Sequence, residues 1–474
     1  MGLGLHGGGL QSALFLLRRG AEVTVTDLRN EEILKPSIDE LDKISRELGG
    51  QPLRYVLGRH DLKDFEKADI VVKNPGVRSD SPFLQASKRT ETDISLFLKE
   101  SKARLFAVTG SKGKSGTASA LHWILSKDRK KGSAFLGGNI TVSPLTFLDE
   151  LGKDDDVVLE LSSFQLGDLK NYKNIDGNTL LKPAACIITT IMPDHLDRYA
   201  SMDEYIDDKR NIYRGQDISD VTVAGDDKWG KSFLDKTKAR PLVLSSSCLN
   251  EGQSGGWIDS SGAGFARLHN FSGVSEETVE LVPREIQIPG AHQKHNMLSA
   301  ALAAYALGAQ AQTIRAALSE FRGIEHRLEF FHEAKGARFY NDSAATIPEA
   351  ACACIEAFTE NGADNLILVT GGTDKNLDYS ALAKTAKKAK DVILLAGTGS
   401  EKLSILLEKE SVSFSGPFDN LDGAVACAIE KAESRKSGEG VCYVALSPGC
   451  ASFGMFLNEF DRGRKWKEAV KRLS

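Results

Sequence analysis

Ala107-Val-Thr-Gly-Ser-Lys-Gly-Lys-Ser-Gly-Thr117 joins a β-rich run to a helical pattern, and a loop at that place can wrap its backbone N–H groups around a phosphate. Gly110 and Gly113 allow close backbone approach and positive φ, Lys114 can reach the β- and γ-phosphates as a point charge, and Ser115 can offer its hydroxyl to Mg²⁺. Ser111, Lys112 and Gly116 complete the loop. Its glycines stand closer together than in the general phosphate-binding loop, with only Ser111 and Lys112 between Gly110 and Gly113. The reading is an ATP user. A solvated turn before a helix is the alternative, and other segments decide between the two.

The chain has 474 residues, enough for about three domains, each able to bury its own core. Hydrophobic residues make up 41% and charged residues 26%, which is ordinary for a globular protein, and no apolar run reaches membrane-spanning length. A formal net charge of −5 argues against nucleic acid as the main partner, because such binding relies on neutralising phosphates with Lys and Arg. The seven cysteines are scattered, with only Cys352 and Cys354 close together. That pattern suits reduced thiols in a cytosol and shows no zinc-site spacing. The first residues lack the charged and apolar regions of a secretory signal, so a cytoplasmic location is expected.

Met1-Gly-Leu-Gly-Leu-His-Gly-Gly-Gly-Leu10 is followed by a helical pattern and then by the strand-like Ala21–Asp27. This is the glycine turn, helix and second strand of a Rossmann-like unit. The strand that should precede the glycine turn is absent, either missing or lost through a misassigned start, so an incomplete first sheet is expected. Ala68–Val77 reads as a further strand ending in a Pro-Gly turn, and residues 93–100 as a helix leading into a strand at 104–109. Strand patterns at 157–161 and 185–190 alternate with helical stretches, as in a parallel sheet covered by helices. Ser245–Asn270 reads as surface loops and short strands, and 295–307 as a helix. Apolar runs at 366–370, 392–396 and 441–446 suggest another nucleotide-binding-like sheet. The last helix, 465–473, is basic along much of its length and reads as a solvated face.

The expected fold is therefore α/β in three domains. These are an N-terminal Rossmann-like domain (1–92) without its first strand, a central phosphate-loop domain with a mostly parallel sheet (93–323), and a C-terminal Rossmann-like domain (324–474). In Val157-Val-Leu-Glu-Leu-Ser-Ser-Phe-Gln-Leu166, Glu160 ends an apolar strand, where a carboxylate can meet a metal held at the phosphate loop. Thr189-Thr-Ile-Met-Pro-Asp-His-Leu-Asp-Arg-Tyr199 brings His195 and two aspartates to the same sheet edge. A surface ion pair for Glu160 and a structural role for His195 are the plainer alternatives. By its own surroundings Lys209 reads as a solvent-facing lysine on a charged helix.

Taken together, the short phosphate loop, Glu160-Leu-Ser-Ser-Phe-Gln-Leu166 and Asp194-His-Leu-Asp-Arg-Tyr199 resemble the Mur ligases, in particular their D-glutamate-adding members. The resemblance continues through Gly290-Ala-His-Gln-Lys-His-Asn296, His326-Arg327, Asn341-Asp-Ser-Ala-Ala-Thr346, Gly371-Gly-Thr-Asp-Lys375 and Leu446-Ser-Pro-Gly-Cys-Ala-Ser-Phe453. It implies an ADP-forming amide ligase of peptidoglycan precursor synthesis, taking ATP, UDP-N-acetylmuramoyl-L-alanine and D-glutamate, with two Mg²⁺ ions and acting as a monomer. It assigns Lys114 and the loop from Gly110 to Gly116 to the phosphates, and Ser115, Glu160, His195 and a carbamoylated Lys209 to the metals. Asn296, Arg327 and Asp342 would hold the nucleotide. Leu5, His6, Leu28 and Arg29 would meet the uridine end, Asn139, Ser162 and Gln165 the sugar and acyl arm, and Thr346, Lys375, Ser452 and Phe453 the incoming amino acid. Gly116, Thr141, Thr190, Gln293 and Ala344 depart from the family's pattern. A folylpolyglutamate-type or later Mur ligase, or a nucleotide-binding homologue without turnover, are the competing readings.

Overall fold

A computed structural model describes residues 1–4, 7–50, 52–128, 132–140, 142–170, 172–195, 198–271, 273, 276–359, 365–434 and 441–474. The chain forms two compact units, one of residues 1–284 and 295–318, the other of residues 285–294 and 319–474.

The first unit begins with two small parallel pairs, β1 (Val23–Asp27) with β2 (Leu53–Leu57) and β3 (Val71–Val72) with β4 (Thr90–Glu91). Between them lies only the start of a strand. The Gly2 N–H donates to the Thr26 carbonyl at 2.8 Å, the Met1 amine to the Val72 carbonyl at 2.8 Å, and the Asn74 N–H to the Met1 carbonyl at 3.0 Å. The incomplete first sheet anticipated from the glycine turn is what the described residues show. The strand anticipated over Ala68–Val77 shrinks to Val71–Val72, because it has a full partner on one side only and Pro75 ends it. Gly7, at φ 74°, turns the chain into the helix Gly8–Arg18. Asp27 fastens that turn to the end of β1 by accepting from the Gly4 and Arg29 N–H groups at 3.1 and 2.9 Å.

The rest of this unit is one sheet, with β5 (Arg104–Thr109), β6 (Ala134–Gly138), β7 (Asp156–Glu160), β8 (Ala185–Ile188), β9 (Val221–Gly225), β10 (Arg240–Ser245), β11 (Gly255–Ile258), β12 (Gly264–Arg267) and β13 (Val279–Val282) in the order 13-12-11-10-9-8-5-7-6. Its pairings are parallel except at β11–β12 and β12–β13. Strands covered on both faces need unbroken apolar sequence rather than alternation, and Phe106, Ala107 and Val108 of β5 and Val157, Val158 and Leu159 of β7 are fully buried.

The second unit holds a sheet in the order β14 (Glu329–Ala334), β15 (Ala337–Asn341), β19 (Cys442–Leu446), β16 (Leu366–Thr370), β17 (Asp391–Leu395), β18 (Phe414–Phe418). Only β14–β15 is antiparallel. The last helix starts at Glu459 and is not simply a solvated face. Trp466 and Val470 enter the core from it, Trp466 donating through Nε1 to the Tyr340 carbonyl at 3.1 Å, and Arg462 is buried beside them. Its other basic residues lie away from that side, with Arg464, Lys465, Lys471 and Arg472 exposed, a 3.6-residue periodicity that the run of lysines and arginines hides.

Candidate functional site

The order β8-β5-β7 decides what surrounds the phosphate loop. The loop leaves β5, so the exit of β7 stands on one side and that of β8 on the other, at the carboxyl edge where open α/β sheets bind ligands. Gly110 has φ 147°, and a Cβ there would lie 1.9 Å from Thr189 Oγ1; Gly113 has φ 87°, and a Cβ there would lie 2.5 Å from Asn296 Oδ1. Both positions exclude side chains for conformation and space together. The helix Lys114–Lys127 begins at once, with its first N–H groups turned toward the loop.

Several contacts hold the loop open in this shape. Ser111 and Lys112 N–H donate to the Thr190 carbonyl at 2.8 and 3.3 Å, and Thr189 Oγ1 donates to the Lys112 carbonyl at 2.6 Å. Ser111 Oγ lies 2.8 Å from Tyr205 OH. Thr189 and Tyr205 carried no motif in the sequence; their role comes from strand order, which one sequence does not display.

Glu160 is 1% exposed, and its Oε1 accepts from Asn139 Nδ2 at 2.9 Å while Oε2 is buried with no hydrogen-bond partner among the described residues. A carboxylate oxygen left bare in an interior is costly unless a cation completes it. Across the loop, Lys209 is also 1% exposed, donates to the Gly110 carbonyl at 2.9 Å and stands 4.5 Å from the Tyr205 ring centre. The solvent-facing reading of Lys209 is thus corrected: the charged helix Met202–Arg210 buries Tyr205, Ile206 and Lys209 on its inner face. Burial and the like charge of Lys114 pull its amine down to about 7. His195 has φ 53° and packs its ring 4.9 Å from that of Phe164. Its side chain stays half open, beside Asp194 at 3.6 Å. Among the described residues no cluster of three or more His, Cys, Asp or Glu forms a ready cage. By chemistry alone, the Glu160 carboxylate, the Ser115 hydroxyl and the His195 imidazole could ligate Mg²⁺, and Lys209 could join them only after its amine became an oxygen donor.

Ser162 and Gln165 form a capping box on the helix Ser163–Leu169, the Ser162 N–H donating to Gln165 Oε1 at 2.9 Å and the Gln165 N–H to Ser162 Oγ at 3.2 Å. This exit from β7 is a helix start of the S-x-x-Q kind. Arg198, which the sequence did not single out, lies 3.9 Å over the Phe164 ring and donates to the Pro75, Gly76 and Val77 carbonyls at 3.3–3.4 Å. Beside it Lys73 and Asp168 make a buried ion pair at 2.6 Å. Together these tie the first domain's Pro-Gly loop to the β7 and β8 exits. Leu28 and Arg29 are exposed just beyond β1, whereas Leu5, His6 and Thr141 lie outside the described residues.

In the second unit Asp342 is buried, accepting from the Leu328 N–H at 3.1 Å and from Ser447 Oγ at 2.6 Å, with Arg327 exposed between the left-handed His326 and Leu328. Burial pushes the Asp342 carboxyl up to about 7 against those hydrogen bonds and the Arg327 charge. Between the ordinary carboxylate value and that one the folded state binds the extra proton, so stability falls as pH rises from about 4 to about 7. Asp342→Asn removes this dependence, because the amide stays neutral and keeps Ser447 as a partner. We expect its second unit to unfold at higher temperature than the unsubstituted chain at pH 8, by on the order of 3 kcal/mol, and the two to converge near pH 4, as read by thermal unfolding across that range.

Thr346, Lys375, Ser452 and Phe453 sit on three loops that the fold joins. Thr373 and Ala451 exchange backbone hydrogen bonds at 3.0–3.1 Å, and the Gly449 N–H donates to the Ala345 carbonyl at 2.9 Å. Arg462 Nη1 and Nη2 reach the Cys450 and Ser343 carbonyls at 3.1 and 2.9 Å. Lys375 is exposed, Ser452 is buried and Phe453 is 60% exposed.

Three family models match in order along the chain. These are the Mur ligase MurD-like N-terminal domain over residues 1–95, the Mur ligase middle domain over 108–304 and the Mur ligase glutamate ligase domain over 326–441. The chain is 38% identical to the UDP-N-acetylmuramoylalanine–D-glutamate ligase of Treponema pallidum (strain Nichols), over 99% of this chain and 96% of that one. It is 40% identical to the enzyme of the same name from Borreliella afzelii (strain PKo), over 100% of this chain and 97% of that one. Among solved structures, the UDP-N-acetylmuramate-alanine ligase MurC of Thermotoga maritima shares the fold with a TM-score of 0.54 at 19% identity, over 98% of this chain and 97% of that one. With a model on each of its three domains and full-length relatives at this identity, the chain belongs to the Mur ligases, in their MurD branch.

Proposed function

We propose that the protein joins the amino group of D-glutamate to the L-alanyl carboxylate of UDP-N-acetylmuramoyl-L-alanine, converting ATP to ADP and phosphate, as a cytoplasmic monomer in peptidoglycan precursor synthesis. The full-length relatives named for that reaction support the substrates. The observation that carries the chemistry is the phosphate loop flanked by a bare buried carboxylate oxygen, Glu160 Oε2, and a buried low-pKa amine, Lys209. Among the described residues no helix is long and apolar enough to cross a membrane, and the seven cysteines are unpaired, which suits a reducing compartment.

A carboxylate is a poor electrophile, so it must first be activated. A carboxylate oxygen attacks the γ-phosphorus, the bond to the β-bridging oxygen breaks, and ADP leaves an acyl phosphate. Gly110–Gly116 N–H groups and the Lys114 ammonium hold the phosphates in line for this displacement. Two Mg²⁺ ions, held by Ser115, Glu160, His195 and a carbamoylated Lys209, supply charge neutralisation when bound. Lys209 becomes such a donor if its neutral amine attacks CO₂ and loses a proton, and its lowered pKa provides the neutral form near pH 7. The D-glutamate amine then attacks the acyl carbon, the tetrahedral adduct expels phosphate, and the nitrogen loses a proton. His195, beside the reacting edge, is the side chain placed to receive or orient it. Asn296, Arg327 and Asp342 hold the nucleotide. Leu5, His6, Leu28 and Arg29 meet the uridine end, Asn139, Ser162 and Gln165 the acyl arm, and Thr346, Lys375, Ser452 and Phe453 the incoming amino acid.

The test is phosphate release from ATP with Mg²⁺, bicarbonate and UDP-N-acetylmuramoyl-L-alanine. D-glutamate is compared with L-glutamate, L-lysine and no amino acid. Release that needs both the sugar nucleotide and D-glutamate supports the reading. Release with another amino acid favours a different amino-acid-adding ligase, and ATP binding without release favours an inactive homologue. In the same assay Arg198→Ala is expected to lower kcat/KM for the sugar nucleotide roughly tenfold while leaving the KM for D-glutamate unchanged, since it removes the charge-assisted contacts to the Pro75–Val77 carbonyls together with the stacking on Phe164. Arg198→Lys should recover only part, because a single ammonium cannot serve several carbonyls and stack on Phe164 at once.

A further inference from the structure

The turn 74–77 follows β3 at the carboxyl edge of the first domain's strands, the edge at which parallel strands present ligands. It closes on itself, the Gly76 N–H donating to Asn74 Oδ1 at 3.1 Å and the Val77 N–H to the Asn74 carbonyl at 2.9 Å. Arg198 holds the Pro75, Gly76 and Val77 carbonyls at 3.3–3.4 Å. Lys73, the residue before the turn, brings a second cation to it. Its Nζ donates to the Val77 carbonyl at 2.9 Å and stands 2.6 Å from Asp168 Oδ2, with the lysine side chain 3% and the aspartate side chain 10% exposed.

Asp168 belongs to the middle domain. It lies on the helix Ser163–Leu169, which the Ser162 and Gln165 capping box starts, and which packs so closely on the helix Met202–Arg210 that a Cβ at Gly167 would lie 2.4 Å from Asp208 Oδ2. The ion pair therefore joins a turn of the first domain to the helix that carries Gln165. Net stability gives no reason for it. Two charges taken out of water together gain little over an apolar pair of similar volume, and burial pushes the Asp168 carboxyl up to about 6 against the pull of Lys73. What the pair adds over an apolar contact is direction, since one atom, Lys73 Nζ, fixes a carbonyl of the turn against a carboxylate of the helix.

We propose that Lys73 and Asp168 are a positioning pair for the sugar nucleotide. They set the span between the loops of the first domain, proposed to meet the uridine end, and the helix start at Ser162 and Gln165, proposed to meet the acyl arm, and the inference rests on that reading. A substrate gripped at two ends by two domains binds only as well as the distance between its two subsites is kept, because slack between them must be taken up on binding. Loss of the pair therefore weakens the hold on the sugar nucleotide and spares ATP and D-glutamate.

The experiment replaces the pair as a whole, Lys73→Met together with Asp168→Leu, which roughly keeps the volume and leaves no buried charge at either position, so the melting temperature is expected to stay within a few degrees. The KM for UDP-N-acetylmuramoyl-L-alanine is expected to rise roughly tenfold or more, with kcat and the KM values for ATP and D-glutamate kept within about twofold, and amide exchange at Gly76 and Val77 to quicken by roughly tenfold. An unchanged KM for the sugar nucleotide, or an equal rise in all three KM values, would overturn the proposal. Asp168→Asn gives a second reading should the double variant not fold. It leaves the Lys73 charge buried without its partner, so a lower melting temperature with the same selective rise in KM supports the pair, and a lower melting temperature with no such rise makes it structural and refutes the proposal. If the unsubstituted protein turns over no sugar nucleotide, the proposed function fails by itself, and exchange at Gly76 and Val77 still decides the pair: quickened exchange in the double variant supports it, and unchanged exchange refutes it.

Discussion

Lys114→Ala is expected to reduce ATP-dependent phosphate release at least a hundredfold, and roughly a thousandfold if the ammonium bears on the transferring phosphoryl group alone. Within the loop its Nζ donates a hydrogen bond to the Ser111 carbonyl at 3.0 Å. Trimming it therefore leaves a partly exposed carbonyl that water can satisfy. The loop itself is held by Thr189, Thr190 and Tyr205, none of which depends on Lys114. Thermal unfolding should consequently shift by less than about 1 kcal/mol, and that split between lost turnover and kept stability is the signature of a group that acts on substrate. Lys114→Arg should not restore the rate, because the bulkier planar fork cannot occupy a point-charge position inside a turn closed by Gly110 and Gly113. Retained ADP formation in Lys114→Ala would refute the proposed role.

A second substitution should move activity and stability in opposite directions. Lys209→Met keeps the length of the side chain and removes an amine that burial disfavours when charged. The folded amine titrates near 7 and the unfolded one near the ordinary lysine value, about 10.4. Between those values the unfolded chain carries the proton and the folded one does not, so stability rises with pH across that window and the cost is fully felt below pH 7. Lys209→Met is accordingly expected to be more stable than the unsubstituted chain at pH 6, on the order of 3 kcal/mol after the loss of its bond to the Gly110 carbonyl. The gap should close toward pH 10. Turnover should nonetheless fall at least a hundredfold, and bicarbonate, which should stimulate the unsubstituted enzyme more strongly at pH 8 than at pH 6, should have no effect on it. A stable Lys209→Met protein with full turnover would remove Lys209 from the mechanism.

What could be seen in the sequence and what could not divides along physical lines. The phosphate loop, Glu160 at its strand end and the apolar runs of β5, β7 and β16 were legible because local periodicity and glycine spacing encode them directly. Lys209 was not: one buried face on a helix with four acidic residues, Asp203, Glu204, Asp207 and Asp208, does not show in composition, and only the family resemblance drew attention to it. Arg198, Arg462, Thr189 and Tyr205 each bond to at least one partner 77–123 residues away in the chain, a separation that no local pattern records. Ser162-x-x-Gln165 is the converse case, in which the local signal of a capping box was present in the sequence and only the family resemblance drew attention to the residues.

Arg462 carries a consequence for how the protein is made. The loops bearing Thr346 and Ser452 are braced by one guanidinium that enters from the final helix, Glu459–Leu473. Synthesis runs from the amino end and domains fold as they emerge. The phosphate loop can therefore take shape on a nascent chain while the second unit's loops wait for nearly the last codon, so a prematurely terminated product would be born with the proposed phosphate site and without bracing for the loops proposed to take the amino acid.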